Sequence, residues 1–136
     1  MQLNVLVVDD SWAMRRFVLR QVRACGPMVG ECFEAGDGRE ALERLDQQEI
    51  NLVLSDINMP GMDGIELAKA IRAQPATEHI PVVIISSDPA NSRERECRAL
   101  GAIGYVEKPF SPHKLLQEME RLFGLAEILV DSRIRA

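Results

Sequence analysis

Short apolar runs alternate along this chain with stretches whose apolar residues recur at helical spacing. A nearly continuous apolar run rich in β-branched residues is typical of a strand that is buried on both faces of a sheet. The pattern predicts strands at residues 3–8, 29–35, 52–54, 82–85 and 103–106, the second of them weaker and at a sheet edge.

Helical spacing appears after each predicted strand. The first helix is predicted to stop at Gly26-Pro27, and Asp37-Gly38 predicts a turn before the second. The stretch over about 90–100 is also helical in pattern but has little apolar surface, mainly from Ala90, Cys97 and Leu100. The apolar positions of the other helices are Met14, Phe17, Val18, Val22 and Cys25; Ala41, Leu42 and Leu45; Ile65, Ala68 and Ile71; and Leu115, Leu116, Met119, Leu122 and Phe123.

Repeated strand–helix alternation predicts an α/β fold, a parallel sheet with helices on both faces and right-handed crossovers. The chain has 136 residues, enough for one domain with its own core. We expect residues 1–124 to form this domain. Residues 125–136 either prolong the last helix or are the stub of a linker.

Composition narrows the possible partners and location. Hydrophobic residues make up 46% of the chain and charged residues 27%, as in ordinary globular proteins. A net charge of -5 disfavours direct binding of nucleic acid. Cys25, Cys32 and Cys97 lack metal-site spacing, so we expect reduced thiols in a cytoplasmic protein. We expect neither a signal peptide nor membrane insertion, since no apolar run has the length or flanks for it.

Residues whose side chains could bind ligands or take part in a reaction lie at the ends of the predicted strands. Asp9 and Asp10 end the first strand, Asp56 the third and Ser86 the fourth, while Lys108 follows the fifth. Parallel strands end on one edge of a sheet, and open α/β sheets bind their ligands at that edge. These residues are therefore expected to converge in one cleft.

The chemistry of such a cleft follows from its residue types. Clustered carboxylates repel one another, so a compensating cation is expected. Oxygen ligands without His or Cys favour Mg²⁺ or Mn²⁺. With Asp56 as a carboxylate nucleophile, Lys108 as a mobile positive charge and Ser86 as a hydroxyl donor, the set indicates phosphoryl transfer to aspartate.

Each of these residues, taken alone, also has an ordinary structural interpretation. Helix caps, a turn residue, a solvated lysine and a core aromatic are all common at strand ends. Asp10 with Ser11, and separately Ser86, would then be helix caps. Asp56 would be the turn residue, Lys108 the solvated lysine and Tyr105 the core aromatic. Their convergence on one sheet edge is what favours a shared function.

Four short motifs stand in the order and spacing of a known family. They are Asp9-Asp10 after Leu6-Val7-Val8, the segment SDINMPGMDG at 55–64, Ser86-Ser87, and Lys108-Pro109-Phe110. Over residues 3 to about 123 the chain thereby resembles the receiver domain family of response regulators. Met14-Arg15-Arg16 and Asn58-Met59-Pro60 are similar to the single-domain chemotaxis regulators of that family.

The resemblance implies a flavodoxin-like five-stranded sheet in the order 2-1-3-4-5, with 1–124 as the receiver domain. It implies that Asp56 accepts the phosphoryl group. It further implies that Asp9 and Asp10 hold Mg²⁺, directly or through water, together with Asp56 and the backbone carbonyl of Asn58. Lys108 is implied to pair first with the carboxylate and then with the phosphoryl group.

The same resemblance implies a conformational switch. Ser86 bonds a phosphoryl oxygen, and Tyr105 rotates inward when Ser86 moves. Because Ser86 lacks the methyl group of threonine, looser packing against Tyr105 is expected. The resemblance also implies a cis bond between Lys108 and Pro109.

Partners are implied as well. A histidine kinase or phosphotransfer protein supplies the phosphoryl group. A downstream protein binds the face formed by the fourth helix, the fifth strand and the last helix. The role is signalling, although the domain assists its own phosphorylation and dephosphorylation.

Three other functions remain open from the residues alone. A haloacid-dehalogenase-type phosphatase would need a second Asp where Asn58 stands, and a cap domain. A flavodoxin-like cofactor binder would need a hydroxyl- or glycine-rich loop where Asp9-Asp10-Ser11-Trp12 stands. A degenerate receiver that only binds proteins would not need the complete set of acids, lysine and hydroxyl.

Overall fold

The computed structural model describes residues 2–86, 95, 99, 104–108 and 111–123. Helices follow strands through most of this range, as the alternation of patterns predicts. The elements are β1 (Leu3–Val8), α1 (Trp12–Arg23), β2 (Val29–Ala35), α2 (Gly38–Gln47), β3 (Leu52–Asp56), α3 (Gly64–Ala73), β4 (Val82–Ser86), β5 (Gly104–Glu107) and α4 (Pro112–Phe123).

The strands form one sheet in the order β2-β1-β3-β4-β5. Every neighbouring pair is parallel, so all the strands end at the same edge. This order is the one implied by the family resemblance, and the weak strand β2 lies at the edge as predicted. The prediction of a flavodoxin-like α/β fold is confirmed.

Apolar residues cover both faces of the sheet, because successive side chains of a strand point to opposite sides. Leu3, Val5 and Val7 pack with apolar residues of α1 and α4 on one face. Leu6 and Val8 pack with residues of α2 and α3 on the other. This double coverage explains why the strands are nearly continuous apolar runs.

Helix starts differ in detail from the sequence-based expectations. Ser11, and not Asp10, caps α1, since its hydroxyl accepts the N–H of Met14 at 3.3 Å. Asp37 and Gly38 do not form a separate turn. Instead the Asp37 carboxylate caps α2, and Gly38 is the first residue of that helix. An aspartate that can bond a free N–H at a helix start favours the helix there.

Some predictions fall outside the described residues. These are the start of the fifth strand at Ile103, the Lys108–Pro109 bond, the tail 125–136 and most of the predicted helix over about 90–100. In that predicted helix the structure describes Arg95 and Ala99, which are both helical and exposed. Within the described part, no helix has the length and apolarity needed to cross a bilayer.

Candidate functional site

Strand register brings the predicted site residues together. The β1–β3 pairing places Asp9 beside Asp56, because the residues that precede them are partners. Asp56 lies opposite Ile85, one residue before Ser86. Lys108 follows β5, and its N–H donates to the Ser86 carbonyl at 2.6 Å. The convergence expected from a parallel sheet is present in the structure.

Three carboxylates form the centre of the cleft. One carboxylate oxygen from each of Asp9, Asp10 and Asp56 lies within 4.8 Å of the others. Asp9 is buried, Asp56 is half-buried and Asp10 is exposed, so the cluster opens to solvent on one side. Carboxylate oxygens at this spacing fit Mg²⁺, which takes oxygen ligands and retains several waters. Asn58, whose carbonyl is expected to add a ligand, is itself exposed in the loop after β3.

Lys108 bridges two of these acids. Its Nζ lies 3.3 Å from Asp9 Oδ2 and 3.4 Å from Asp56 Oδ1. The Lys108 side chain is only 13% exposed, so this pair of contacts is shielded from water. The backbone bond between Lys108 and Ser86 fixes the base of the side chain. The flexible aliphatic part of the side chain allows the ammonium group to move from one negatively charged oxygen of the cleft to another.

Burial controls the electrostatics of Asp56. Desolvation raises the pKa of the Asp56 carboxyl and the neighbouring Asp9 raises it further, against the lowering influence of Lys108. The Ile57 N–H donates to Asp56 Oδ1 at 2.9 Å and also favours the ionised form. The net direction is upward. Folding therefore places this carboxylate where its charge is less favourable than in water.

A dependence of stability on pH follows from this raised pKa. Between the unfolded pKa of about 3.9 and the raised folded value, the folded state binds more protons, so its stability falls as pH rises. Without metal, Asp56→Asn should be more stable than the parent at pH 7 by about 0.5–2 kcal/mol. The advantage should vanish in acid below about pH 4. Urea unfolding in EDTA across pH measures it.

A charge-matched control distinguishes this local effect from a general one. Asp46 is exposed on α2, and Asp46→Asn removes the same charge away from the cleft. It should change the stability of the protein by less than Asp56→Asn does. A parent protein more stable than Asp56→Asn at pH 7 would show that the ion pair with Lys108 outweighs desolvation.

The loop after β3 folds back tightly beneath Asp56. The Gly64 N–H donates to the Ile57 carbonyl at 2.9 Å, and Asp63 caps α3 by accepting the N–H of Glu66 at 2.8 Å. A β-carbon at Gly64 would collide with the Asp56 carbonyl oxygen. The loop can close only with glycine there, a requirement that the sequence alone did not reveal.

The two residues expected to form the switch share one face of the sheet. Tyr105 lies opposite Ile84, and Ser86 lies two residues further along β4. Ser86 is fully buried, and Tyr105 packs against the apolar cluster of that face. The Tyr105 hydroxyl is already buried, with no hydrogen-bond partner among the described residues.

Arg15 contacts the site and Glu34 contacts Arg15, although the sequence predicts neither as part of the site. Arg15 appeared only within a motif of the resemblance, and Glu34 was not singled out. Arg15 donates to the backbone carbonyl of Asp9 at 2.7 Å and forms an ion pair with Glu34. A contact to a backbone carbonyl leaves no signature in side-chain patterns, so no sequence signal pointed to it.

Comparison with known proteins agrees with the fold. The family model of the response regulator receiver domain matches residues 5–120. Chemotaxis protein CheY-3 of Vibrio cholerae serotype O1 is 36% identical over 121 residues, which cover 89% of this chain and 92% of that protein.

Solved structures give the same result. V. cholerae CheY4 superimposes with a TM-score of 0.80 at 34% identity, covering 90% of this chain and all of that one. A receiver domain of the sensor histidine kinase PA1611 from Pseudomonas aeruginosa, with magnesium in its active-site cleft, has a TM-score of 0.78. At 22% identity, with 91% of this chain and 99% of that chain covered, this second likeness concerns the fold alone. By sequence and by fold, the chain belongs to the response regulator receiver domain family.

Proposed function

We propose that this receiver domain accepts a phosphoryl group on Asp56 from a histidine kinase or phosphotransfer protein. The supporting observation is a half-buried carboxylate at a strand end, flanked by two further acids and by Lys108. In the transfer, an Asp56 oxygen forms a bond to phosphorus while the bond between phosphorus and the donor's histidine nitrogen breaks. The nitrogen keeps the bonding electron pair, and the product is an acyl phosphate.

Asp9, Asp10, Asp56 and the backbone carbonyl of Asn58 would hold Mg²⁺, or Mn²⁺ in its place. The donor set supports this assignment, because its three carboxylate oxygens are already within 4.8 Å of one another. When bound, the metal supplies positive charge to the oxygens of the transferring phosphoryl group.

Lys108 and Ser86 complete the proposed site. The Lys108 ammonium lies 3.4 Å from the Asp56 oxygen and can move onto a phosphoryl oxygen while it stays near Asp9. The Ser86 hydroxyl donates to another phosphoryl oxygen. Since the Lys108 N–H is bonded to the Ser86 carbonyl, a shift of Ser86 is transmitted to the end of β5.

The phosphoryl group then changes a surface that a downstream protein recognises. In this proposal Ser86 moves toward the phosphoryl group and the inward position of Tyr105 becomes favoured. The affected face comprises the predicted helix over about 90–100, β5 and α4. A cytoplasmic signalling role of a single receiver over residues 1–124, with self-catalysed dephosphorylation, accords with chemotaxis relatives that this chain matches over 89% of its length.

Incubation with acetyl phosphate and Mg²⁺ tests the proposal. Intact-mass analysis should show at most one phosphoryl group per chain. The label should be released by hydroxylamine, as an acyl phosphate is, and should not form in EDTA. Steady release of phosphate from simple phosphate esters, with no labelled protein, would instead indicate a phosphatase and would refute the proposal.

A further inference from the structure

We propose that Arg15 is a positioning residue, held by Glu34, which fixes the two adjacent acids Asp9 and Asp10 in the geometry that a divalent cation needs. The inference rests on the proposed function, since it concerns the same metal site. Neither residue is placed among the metal ligands or the reacting groups.

The contacts of Arg15 link three elements. Arg15 lies in the first turn of α1, and its Nη1 donates to the Asp9 carbonyl oxygen at 2.7 Å. Its Nε donates to Glu34 Oε1 on β2 at 3.2 Å. The side chain is 17% exposed, so the guanidinium spans the gap between helix, edge strand and acid cleft largely out of solvent.

Glu34 is itself anchored on both its backbone and its side chain. Its carbonyl oxygen accepts Arg44 Nε at 3.2 Å, and its second carboxylate oxygen lies 3.8 Å from Arg16 Nη1. Glu34 also lies opposite Val7 in the pairing of β1 with β2. Arg15 is therefore bound to a residue whose own position on the sheet is fixed. A guanidinium group held in this way can orient the Asp9 carbonyl.

The bond from Arg15 fixes the peptide plane that joins the two acids. The Asp9 N–H donates to the Ala35 carbonyl at 3.1 Å, and the Asp9 carbonyl accepts Arg15. The Ser11 N–H donates to Asp9 Oδ1 at 2.9 Å. With both backbone polar groups and a carboxylate oxygen of Asp9 bonded, the direction in which the exposed Asp10 leaves the sheet is set as well.

Two simpler interpretations of Arg15 make different predictions. If the Arg15 charge acted only through space, its removal would strengthen cation binding, because a positive charge near the site repels the metal. If Arg15 served only the stability of the fold, its loss would lower stability without a specific change in Mg²⁺ affinity. The positioning role predicts weaker Mg²⁺ binding, opposite in sign to the electrostatic effect.

Isothermal titration of Mg²⁺ into Arg15→Gln measures this sign. We expect about tenfold weaker binding, the lower end of the range for groups that orient metal ligands. Arg72→Gln is the matched control, because Arg72 also donates to a backbone carbonyl, that of Glu78, and lies in the last turn of α3, at the opposite end of that helix from Asp56. It should bind Mg²⁺ like the parent. Equal or tighter binding by Arg15→Gln would overturn the inference.

A second variant, Arg15→Lys, and a measurement without metal keep the test valid if Arg15→Gln does not fold or if Mg²⁺ does not bind. Lysine can donate to the Asp9 carbonyl but cannot span to Glu34 with a planar fork, so partial recovery of affinity is expected. This variant carries the test if Arg15→Gln does not fold. Amide exchange at Ser11 in EDTA should be faster in Arg15→Gln and unchanged in Arg72→Gln.

The exchange measurement separates the two proposals. A parent that bound no Mg²⁺ would refute the metal site of the proposed function. Faster exchange at Ser11 would even then support the positioning of Asp9 by Arg15, and unchanged exchange would refute it.

Discussion

Asp56→Asn should carry no phosphoryl group after incubation with acetyl phosphate and Mg²⁺ under conditions that label the parent. The amide cannot supply the anionic oxygen that forms the bond to phosphorus. The surroundings survive the change, because Lys108 keeps its contact with Asp9 at 3.3 Å. The loss should therefore be a complete loss of chemistry in a folded protein, visible by intact mass and confirmed by unchanged circular dichroism.

Asp63, at the far end of the loop that follows Asp56, provides the control. Asp63 caps α3 by accepting the N–H of Glu66, and the acid cluster does not include it. Asp63→Asn should retain the label, since asparagine can also cap a helix and little stability is lost. Equal labelling of Asp56→Asn and the parent would show that another residue is the acceptor, and peptide mapping would then identify it.

Topology explains why so much of this site could be predicted from sequence. Once the apolar runs indicated a parallel sheet, Asp9, Asp56 and Lys108 had to end at one edge, whatever their separation along the chain. The order of the strands in the sheet could not be predicted from the apolar pattern. It came from the family resemblance, since periodicity contains no information on which strands are neighbours.

Details of the site depended on tertiary packing, which patterns of residue type do not encode. Asp9 and Asp10 are equivalent in the sequence, yet one is buried and the other exposed. The requirement for glycine at position 64 arises because the backbone turns back onto the carbonyl of Asp56. A turn and a helix start are both compatible with Asp37-Gly38. The sequence pattern predicts the turn, whereas in the structure Asp37 caps α2.

The exposure of Asp10 makes it the cleanest test of the metal site. Asp10 has no hydrogen bond or ion pair to the rest of the described chain, in contrast to Asp9, which accepts bonds from Lys108 and Ser11. Asp10→Asn therefore removes a ligand charge without breaking a hydrogen bond or ion pair to the residues that the structure describes. We expect Mg²⁺ affinity to fall roughly 10–100-fold, because the charge of the ligands sets the affinity for a hard cation.

Thermal unfolding with and without Mg²⁺ reports the same loss independently. At a concentration 100 times its dissociation constant, Mg²⁺ should stabilise the parent by about 2.7 kcal/mol. In Asp10→Asn a tenfold loss of affinity should reduce that gain to about 1.4 kcal/mol, and a hundredfold loss should reduce it to about 0.4 kcal/mol. In EDTA the variant should be at least as stable as the parent, because repulsion within the cluster is relieved. Asp46→Asn, which removes an equal charge from exposed α2, should retain the full Mg²⁺ effect. If Asp10→Asn were stabilised by Mg²⁺ as strongly as the parent, the cation would have to be held without Asp10, and the assignment of the three clustered acids as its ligands would be wrong.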